Sequence, residues 1–523
     1  MKTFSKFFCA IIFLFSFFNI SMAQKNWLWS NGGAGNDEAL DNATDQNGNI
    51  LTTGYFSQTA QFSSTTLVSN GSGDIFISKQ DSNGTYQWAT QAGGAASDRA
   101  YGIATDNSGN IFVSGFFSAT ATFGTFILTS SNNSQDVFVA KLDAAGNFLW
   151  AKKFGGTDID LALSINSDAS GNVIVTGQFK GTAQFGSNTF TSMIDPNTSA
   201  PSYDIFILKL DAAGNFLWSK HGAAKYDDRG LAVSSDNAGN IYVTGQFSDT
   251  LHFANTYNNN AFNAGFLLKL GPAGNEIWIR RLFAALVTPY NVRCFANEIY
   301  VTGDFQGNLT IAGTSQTTVT TVYPYNIFVS KFDGTGTVLW IEHNGSDNSV
   351  SSLDIAIDGS GDAYITGLFT CVFSEYSSLY GPGIFNSVGF RDVFISKVSS
   401  SGQLIWERQF GGSRDDFCPS ISLIAKDEPV IAGSFERGFN IPKGANFIQN
   451  VSNFDSSSSG ASQPSVYCND YYYRQYRGVA SLGSKEIFSS KPFDPARLPY
   501  DYYERQAGPC VYNIPLPYIV NPY

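Results

Sequence analysis

Two pairs of adjacent acids, Asp227-Asp228 and Asp415-Asp416, have the residue types that hydrolytic chemistry needs. A glycosidase or lyase works with two carboxyl groups, one to give a proton and one to take a proton or attack. Both pairs occupy the equivalent loop after a tryptophan-bearing strand of a repeat, and they read more economically as surface-loop carboxylates. His221, His252 and His343 are the only histidines, and none stands beside Ser or Cys in a nucleophile motif. Gly-x-Ser-x-Gly, His-Glu-x-x-His and phosphate-loop patterns do not occur. Cys9 lies in an apolar leader, and Cys294, Cys371, Cys418, Cys468 and Cys510 follow it, an odd number with no zinc-type spacing. Cys468 and Cys510 share the unusual C-terminal segment and form the preferred disulfide pair. The expectation is no catalytic residue, no metal ligand set and no cofactor.

The elements that would carry such residues come from a chain of 523 residues, 43% hydrophobic, 15% aromatic and only 14% charged, with 51 glycines. That composition excludes a disordered polyampholyte and leaves ample apolar surface for a core. The formal net charge of −12 repels phosphate backbones, so nucleic acid is not an expected partner. Residues 1–23 have the layout of a secretory signal peptide: Lys2 and Lys6, an apolar run from Phe7 to Phe18, then Ser21-Met22-Ala23 before Gln24. No later run reaches the length of a spanning helix, so no membrane span is expected after cleavage. The expected location is exported: periplasm, outer-membrane surface or extracellular.

A repeat dominates the rest. Trp27, Trp88, Trp150, Trp218, Trp278, Trp340 and Trp406 recur at intervals of 60 to 68 residues, with only Trp29 out of register. Gly54, Gly115, Gly177, Gly245, Gly303, Gly367 and Gly433 follow in phase, within stretches such as Gly-Asn-Ile-Tyr-Val-Thr-Gly-Gln-Phe at 239–247. A third anchor is Asp74-Ile-Phe-Ile-Ser-Lys79, repeated at Asp136, Asp204 and Asp392 and weakened at Ala264 and Asn326. In the third copy, four strands are expected at Phe148–Phe154, Leu161–Asn166, Asn172–Phe179 and Asp204–Leu210. They are rich in Ile, Val, Phe and Thr and apolar on both faces. A sheet buried on both sides must be sandwiched between neighbouring sheets, as a propeller blade is.

Turns of the form Asp45-Gln-Asn-Gly48 and Asp143-Ala-Ala-Gly146 precede these strands; Asp can bond its own turn's amides, and Gly supplies positive φ. Calcium would need denser acidic ligands, so these turns are read as hairpin chemistry. The repeated Trp and Phe are read as packing between blades. Lys79, Lys141, Lys209, Lys269, Lys331 and Lys397 end equivalent strands, where nearby turn aspartates neutralise them.

The succession Asp-x-x-Gly-Asn-Ile-Tyr-Val-Thr-Gly-x-Phe, Asp-Ile-Phe-Ile-x-Lys and Asp-x-x-Gly-x-x-x-Trp, spread over about 27–435, resembles the seven-bladed β-propeller repeat family of exported bacterial proteins. The leader end Met-Ala-Gln is similar to that of Bacteroidetes-type proteins. The resemblance implies an all-β, seven-bladed propeller of four-stranded blades. Because one Trp strand precedes the first full repeat, the N-terminal strand is expected to close the ring in the last blade, beside strands from 421–435. Phe447-Ile448-Gln449, or Glu486 to Lys491, would supply that blade's third strand. The family's shared residues build blades and bring no common catalytic residues.

The domain reading is a signal peptide at 1–23, a propeller at 24–454, and an irregular tail at 455–523. The tail holds 11 of the 25 tyrosines and 8 of the 17 prolines. Tyr471, Tyr472, Tyr473, Tyr502 and Tyr503 are its partner-binding candidates, since tyrosine buries a large ring while keeping a hydroxyl for bonding. The expected function is a non-catalytic scaffold binding protein or glycan at the cell envelope, within an outer-membrane or cell-surface assembly. The alternative is a carbohydrate-active hydrolase or lyase using the loop carboxylates. Units longer than common propeller repeats imply long loops, where recognition usually sits.

Overall fold

The structure is a computed structural model. It describes residues 29–451 except 31, 34, 259–263, 313–316, 320–324, 347–348, 371, 374–384, 388–389, 412–414, 425–427 and 436–448. The leader, Trp27 and the whole tail, with Cys468, Cys510 and the five candidate tyrosines, lie outside those residues. The described chain is all-β apart from one 3-10 turn at Ser131–Asn133. No described helix is long and apolar enough to cross a membrane.

Seven sheets of four or more strands follow one another among the described residues. Their inner strands are Asp37–Thr44, Arg99–Thr105, Leu161–Ser167, Arg229–Ser235, Leu286–Phe295, Val350–Ile357 and Asp416–Ile424, and we number the units one to seven accordingly. In units one to six a second, a third and an outer strand follow, each antiparallel to the one before, as in Ile111–Ser118, Gln135–Leu142 and Phe148–Gly156 of unit two. The inner strands lie side by side in chain order, and the seventh lies against the first.

Composition explains the layering. Second and third strands such as Ile50–Phe56 and Asp74–Gln80 are buried at every position, so both faces of their sheet need partners and neighbouring sheets supply them. Outer strands are only partly covered, and the residue before each Trp faces solvent, as Leu149, Leu217 and Ile277 do. The turns behave as expected: Asp45 accepts from the amides of Asn47 and Asn49, both at 2.9 Å, and Gly48 takes φ +73° to close the hairpin.

Two features differ from the sequence expectation. The residues between second and third strands are not simply long loops: in most units they form a further hairpin that pairs with the outer strand of the preceding unit. Thr120–Phe123 of unit two joins the outer strand of unit one, and Thr182–Phe185 of unit three joins that of unit two. The glycine pairs ending the outer strands of units one and two permit this approach there, because a Cβ on Gly156 would stand 1.9 Å from the Thr182 carbonyl oxygen.

The seventh unit is also built differently. Its third strand is Gln449–Val451, so of the expected Phe447-Ile448-Gln449 only Gln449 is among the described residues. That strand runs parallel to Glu428–Phe435, and Trp29–Ser30 pairs with it in parallel as the fourth strand. Gly32 and Gly33 then pair with Gln61 and Ala60, as Gly93 and Gly94 pair with Thr122 and Ala121. The N-terminal segment thus holds the outer-strand position of unit seven.

Candidate functional site

Each inner strand loses register against its second strand at one point, where a bulge adds a residue. The extra residues include Leu40, Tyr101, Leu163, Leu231, Tyr290 and Leu353, and all of these line one cavity of about 400 Å³. Every inner strand contributes to its wall. Six of the seven bulges therefore re-aim a Leu or Tyr towards a shared centre, and the volume falls in the range of small-ligand pockets.

Where the residue after the bulge is polar, it reaches sideways to the next sheet. Asp41 Oδ2 accepts from the Ile103 amide at 2.8 Å, Ser164 Oγ from Val233 at 3.2 Å, and Asp354 Oδ2 from Ile421 at 2.8 Å. Ser420 Oγ accepts from the Asn42 amide at 3.0 Å, the same relation between the seventh unit and the first. Ser420 also stands between two carboxylates, 2.8 Å from Asp41 Oδ1 and 3.2 Å from Asp354 Oδ2. Asp354 Oδ1 takes Asn291 Nδ2 at 2.6 Å and Arg293 Nη2 at 3.3 Å.

Burial pushes the Asp41 carboxyl up to about 7; the Asp354 charge adds to this, while the Ile103 amide and Ser420 hydroxyl oppose it. Burial also raises Asp354, against the pull of the Arg293 guanidinium. The cavity thus joins an apolar ring to a polar wall with one cation and two carboxyls that resist full ionisation.

The acids singled out by sequence do not meet there. None of Asp227, Asp228, Asp415 and Asp416 lines the cavity. Asp228 and Asp416 are fully buried, which corrects their reading as surface-loop groups. Asp228 clamps a junction: its oxygens accept from the amides of Ala224 at 2.5 Å and Ser248 at 3.0 Å. Asp98 does the same with Gly94 at 2.7 Å and Ser118 at 3.0 Å, and Asp160 with Gly156 at 2.6 Å and Lys180 at 3.2 Å. Asp227 accepts from the Tyr203 amide at 3.0 Å, and Asp415 forms an ion pair with Arg391. These bonds hold neighbouring sheets together.

The repeated Trp and Lys take the packing and ion-pairing roles expected of them. Trp88 Nε1 donates to the Ala144 carbonyl at 3.1 Å, Trp218 to Pro272 at 3.1 Å and Trp340 to Ser400 at 3.1 Å, each in the turn of the following unit. Lys79, Lys209 and Lys397 pair with Asp45, Asp168 and Asp358 at 2.9 to 3.0 Å. Cys294 and Cys418 are free thiols. Among the described residues no three His, Cys, Asp or Glu gather as a metal cluster.

Sequence reasoning passed over Asp41 and Asp354. Each lies four residues before a turn aspartate, Asp45 and Asp358, so Asp-x-x-x-Asp-x-x-Gly was the signal available.

Residues 87–115 match the Beta-propeller repeat family. The chain is 30% identical over 207 residues, 34% of its own length, to an uncharacterized WD repeat-containing protein of Acanthamoeba polyphaga mimivirus. It is 30% identical over 117 residues, 22% of its length, to the Regulatory protein FlaEY of Caulobacter vibrioides. It spans only 14% and 12% of those relatives. Among solved structures, Kuenenia stuttgartiensis hydrazine synthase aligns over 75% of this chain and 90% of its own at 10% identity, with a TM-score of 0.41. A protein of unknown function from Bacteroides caccae aligns over 64% of this chain and 89% of its own at 11% identity, with a TM-score of 0.31. The chain is an all-β protein carrying a β-propeller repeat.

Proposed function

We propose that the seven sheets are blades of one closed propeller ring, and that the protein is an exported, non-catalytic binding scaffold at the bacterial cell envelope. The Asn42–Ser420 bond and the parallel seat of Trp29–Ser30 support closure. Export rests on the leader at 1–23. The partner is a protein or glycan, and the Tyr/Pro-rich tail is its tether to an outer-membrane or cell-surface assembly.

The observation that carries a binding role is the central cavity. It draws its wall from every inner strand and mixes apolar surface with Asn166, Asn291 and Arg293. Of the acids a hydrolase would use, Asp227 and Asp228 are engaged with backbone amides and Asp415 with Arg391. The test is retention of glycan fragments and envelope proteins by the full-length protein and by Leu163→Trp, which fills the cavity and spares the polar wall. Retention lost in the variant supports the reading. Equal retention by both places binding elsewhere, and turnover of a retained glycan refutes the non-catalytic assignment.

A further inference from the structure

The wall of the central cavity repeats from unit to unit, and one position breaks the repeat. Three residues after each bulge, five of the seven units carry Ala or Ser, unit three carries Asn166 and unit five carries Arg293. Small side chains such as Ala43, Ala104 and Ala356 leave the centre open. Arg293 is the one cation among the residues that line it, with its side chain 33% exposed.

The bonds already made in this wall restrict what a ligand can offer it. Asn166 spends both amide hydrogens, on the Ser167 carbonyl at 3.2 Å and Ser235 Oγ at 2.7 Å. Asp354 accepts from Asn291, Arg293, Ile355 and Ile421, and Asp41 accepts from the amides of Asn42 and Ile103. A carboxylate offers about four acceptor sites, so Asp354 is full and Asp41, with the Ser420 hydroxyl beside it, nearly so.

Arg293 has donors to spare. Its Nη1 donates to Asn291 Oδ1 at 2.9 Å and to the Val292 carbonyl at 3.3 Å, and its Nη2 to Asp354 Oδ1 at 3.3 Å. Nε–H and one Nη2 hydrogen keep no partner among the described residues, and a carboxylate takes two such donors at once. Charge-assisted bonds run at about 2.7–2.9 Å, so the longer approach to Asp354 leaves the guanidinium loosely held. Ser422, nine-tenths buried in the same wall, has a hydroxyl with no hydrogen-bond partner. The wall's spare capacity is mainly in donors.

We propose, resting on the binding role of this cavity, that its ligand is a small organic carboxylate with an apolar body. The carboxylate sits on Arg293, and the body lies against the Leu and Tyr side chains of the bulges. Arginine stays charged at any working pH, and its planar fork matches a carboxylate. Three residues of strand, about 10 Å, separate the bulge from the Arg293 position, and the ligand spans about that length. An amine would meet carboxyls whose acceptor sites are taken. A wholly apolar molecule would leave Arg293 and Ser422 unpaired, and a dianion such as phosphate would double the repulsion from Asp41 and Asp354.

The test measures binding of phenylbutyrate and of its neutral amide, phenylbutanamide, to the full-length protein by equilibrium dialysis. Wild type is expected to bind the carboxylate about tenfold more tightly than the amide, the worth of hydrogen bonds to a charged group. Arg293→Gln should remove that preference and leave the amide bound as in wild type, while Leu163→Trp should lose both probes. Equal binding of the two probes by wild type, or a preference that survives Arg293→Gln, would overturn the carboxylate assignment; loss of both in Leu163→Trp would still uphold the cavity as a binding site. Binding of neither probe by wild type also overturns the assignment, and retention of glycans and envelope proteins then judges the binding role separately. The wild-type comparison needs no variant, so it decides alone if Arg293→Gln does not fold.

Discussion

The amide of Asn42 donates to Ser420 Oγ at 3.0 Å, joining inner strands whose residues stand 378 positions apart in the chain. The single hydroxyl proton of Ser420 has three acceptors in reach, oxygens of Asp41, Asn42 and Asp354 at 2.8 to 3.2 Å, and can serve one of them at a time. Ser420→Ala removes one of the two acceptors of the Asn42 amide, which also reaches Asp41 Oδ1 at 2.9 Å, and the donor among three buried oxygens. The expected loss is about 1–3 kcal/mol, since a buried group left unsatisfied loses its full solvation. Urea denaturation checks it; a midpoint unchanged from wild type would show that this contact carries no load in the proposed ring.

Asp41 makes stability depend on pH. Its folded carboxyl titrates at about 7, above the ordinary 3.8, because of burial first and the Asp354 charge second. The folded state therefore binds a proton more tightly than the unfolded chain. The contribution is complete below about pH 4 and is lost as pH rises through 7. Tm should fall over that window, and Asp41→Asn, which keeps an acceptor for the Ile103 amide, should flatten part of the fall. An unaltered profile in the variant would mean that other carboxyls govern the dependence.

Much of this fold was legible in the sequence, for reasons that particular residues make plain. Turn chemistry is local: Asp45 and Gly48 need only their own hairpin, so four residues suffice to read it. Packing on both faces shows in unbroken runs such as Ile205-Phe-Ile-Leu208, buried throughout. The extra hairpins were missed although Thr-Ala-Gln-Phe occurs at both 59–62 and 182–185. Their partner is the preceding unit's outer strand, and only the assembled sheets disclose that pairing. The acids were misread for a related reason. Adjacency suggested an exposed loop at Asp227-Asp228, but the surroundings of Asp228 are set by amides of Ala224 and Ser248 on different elements. Asp41 and Asp354 escaped notice because their spacing to Asp45 and Asp358 recurs in only two units, and the bulge that aims them at the next sheet shows only in the strand register.

Gly214 rests on the indole of Trp150 from the preceding unit, with φ +81° and space for a Cβ only 3.0 Å from the ring carbons. Trp150 Nε1 donates to the Ala212 carbonyl in the same turn at 3.4 Å. Gly214→Ala meets both a positive φ and a steric clash, with an expected loss of about 1–3 kcal/mol. Trp150→Phe keeps most of the packing and removes only the indole donor, so its expected loss is smaller, about 1 kcal/mol. Thermal unfolding of the two variants should rank them in that order. The reverse ranking would mean that the turn yields to the added methyl and that the hydrogen bond dominates the junction.

Phe185 tests the hairpins that sequence reading overlooked. It lies on the Thr182–Phe185 strand, fully buried, and stacks on Phe206 of its own unit at 4.4 Å between ring centroids. The same short strand pairs through Ala183 and Gln184 with Gly156 and Gly155 of the preceding unit. The ring therefore pins a hairpin that bridges two sheets, and truncating it opens a cavity where neither sheet can easily collapse. Phe185→Ala is expected to cost about 3–5 kcal/mol, the range for large aromatic side chains in packed cores. Amide exchange then separates a structural bridge from a peripheral flap. If the hairpin bridges the sheets, protection falls at Lys153 to Gly156 in the preceding unit as well as along 182–191. Loss confined to 182–191 would make the hairpin a flap that stabilises only itself.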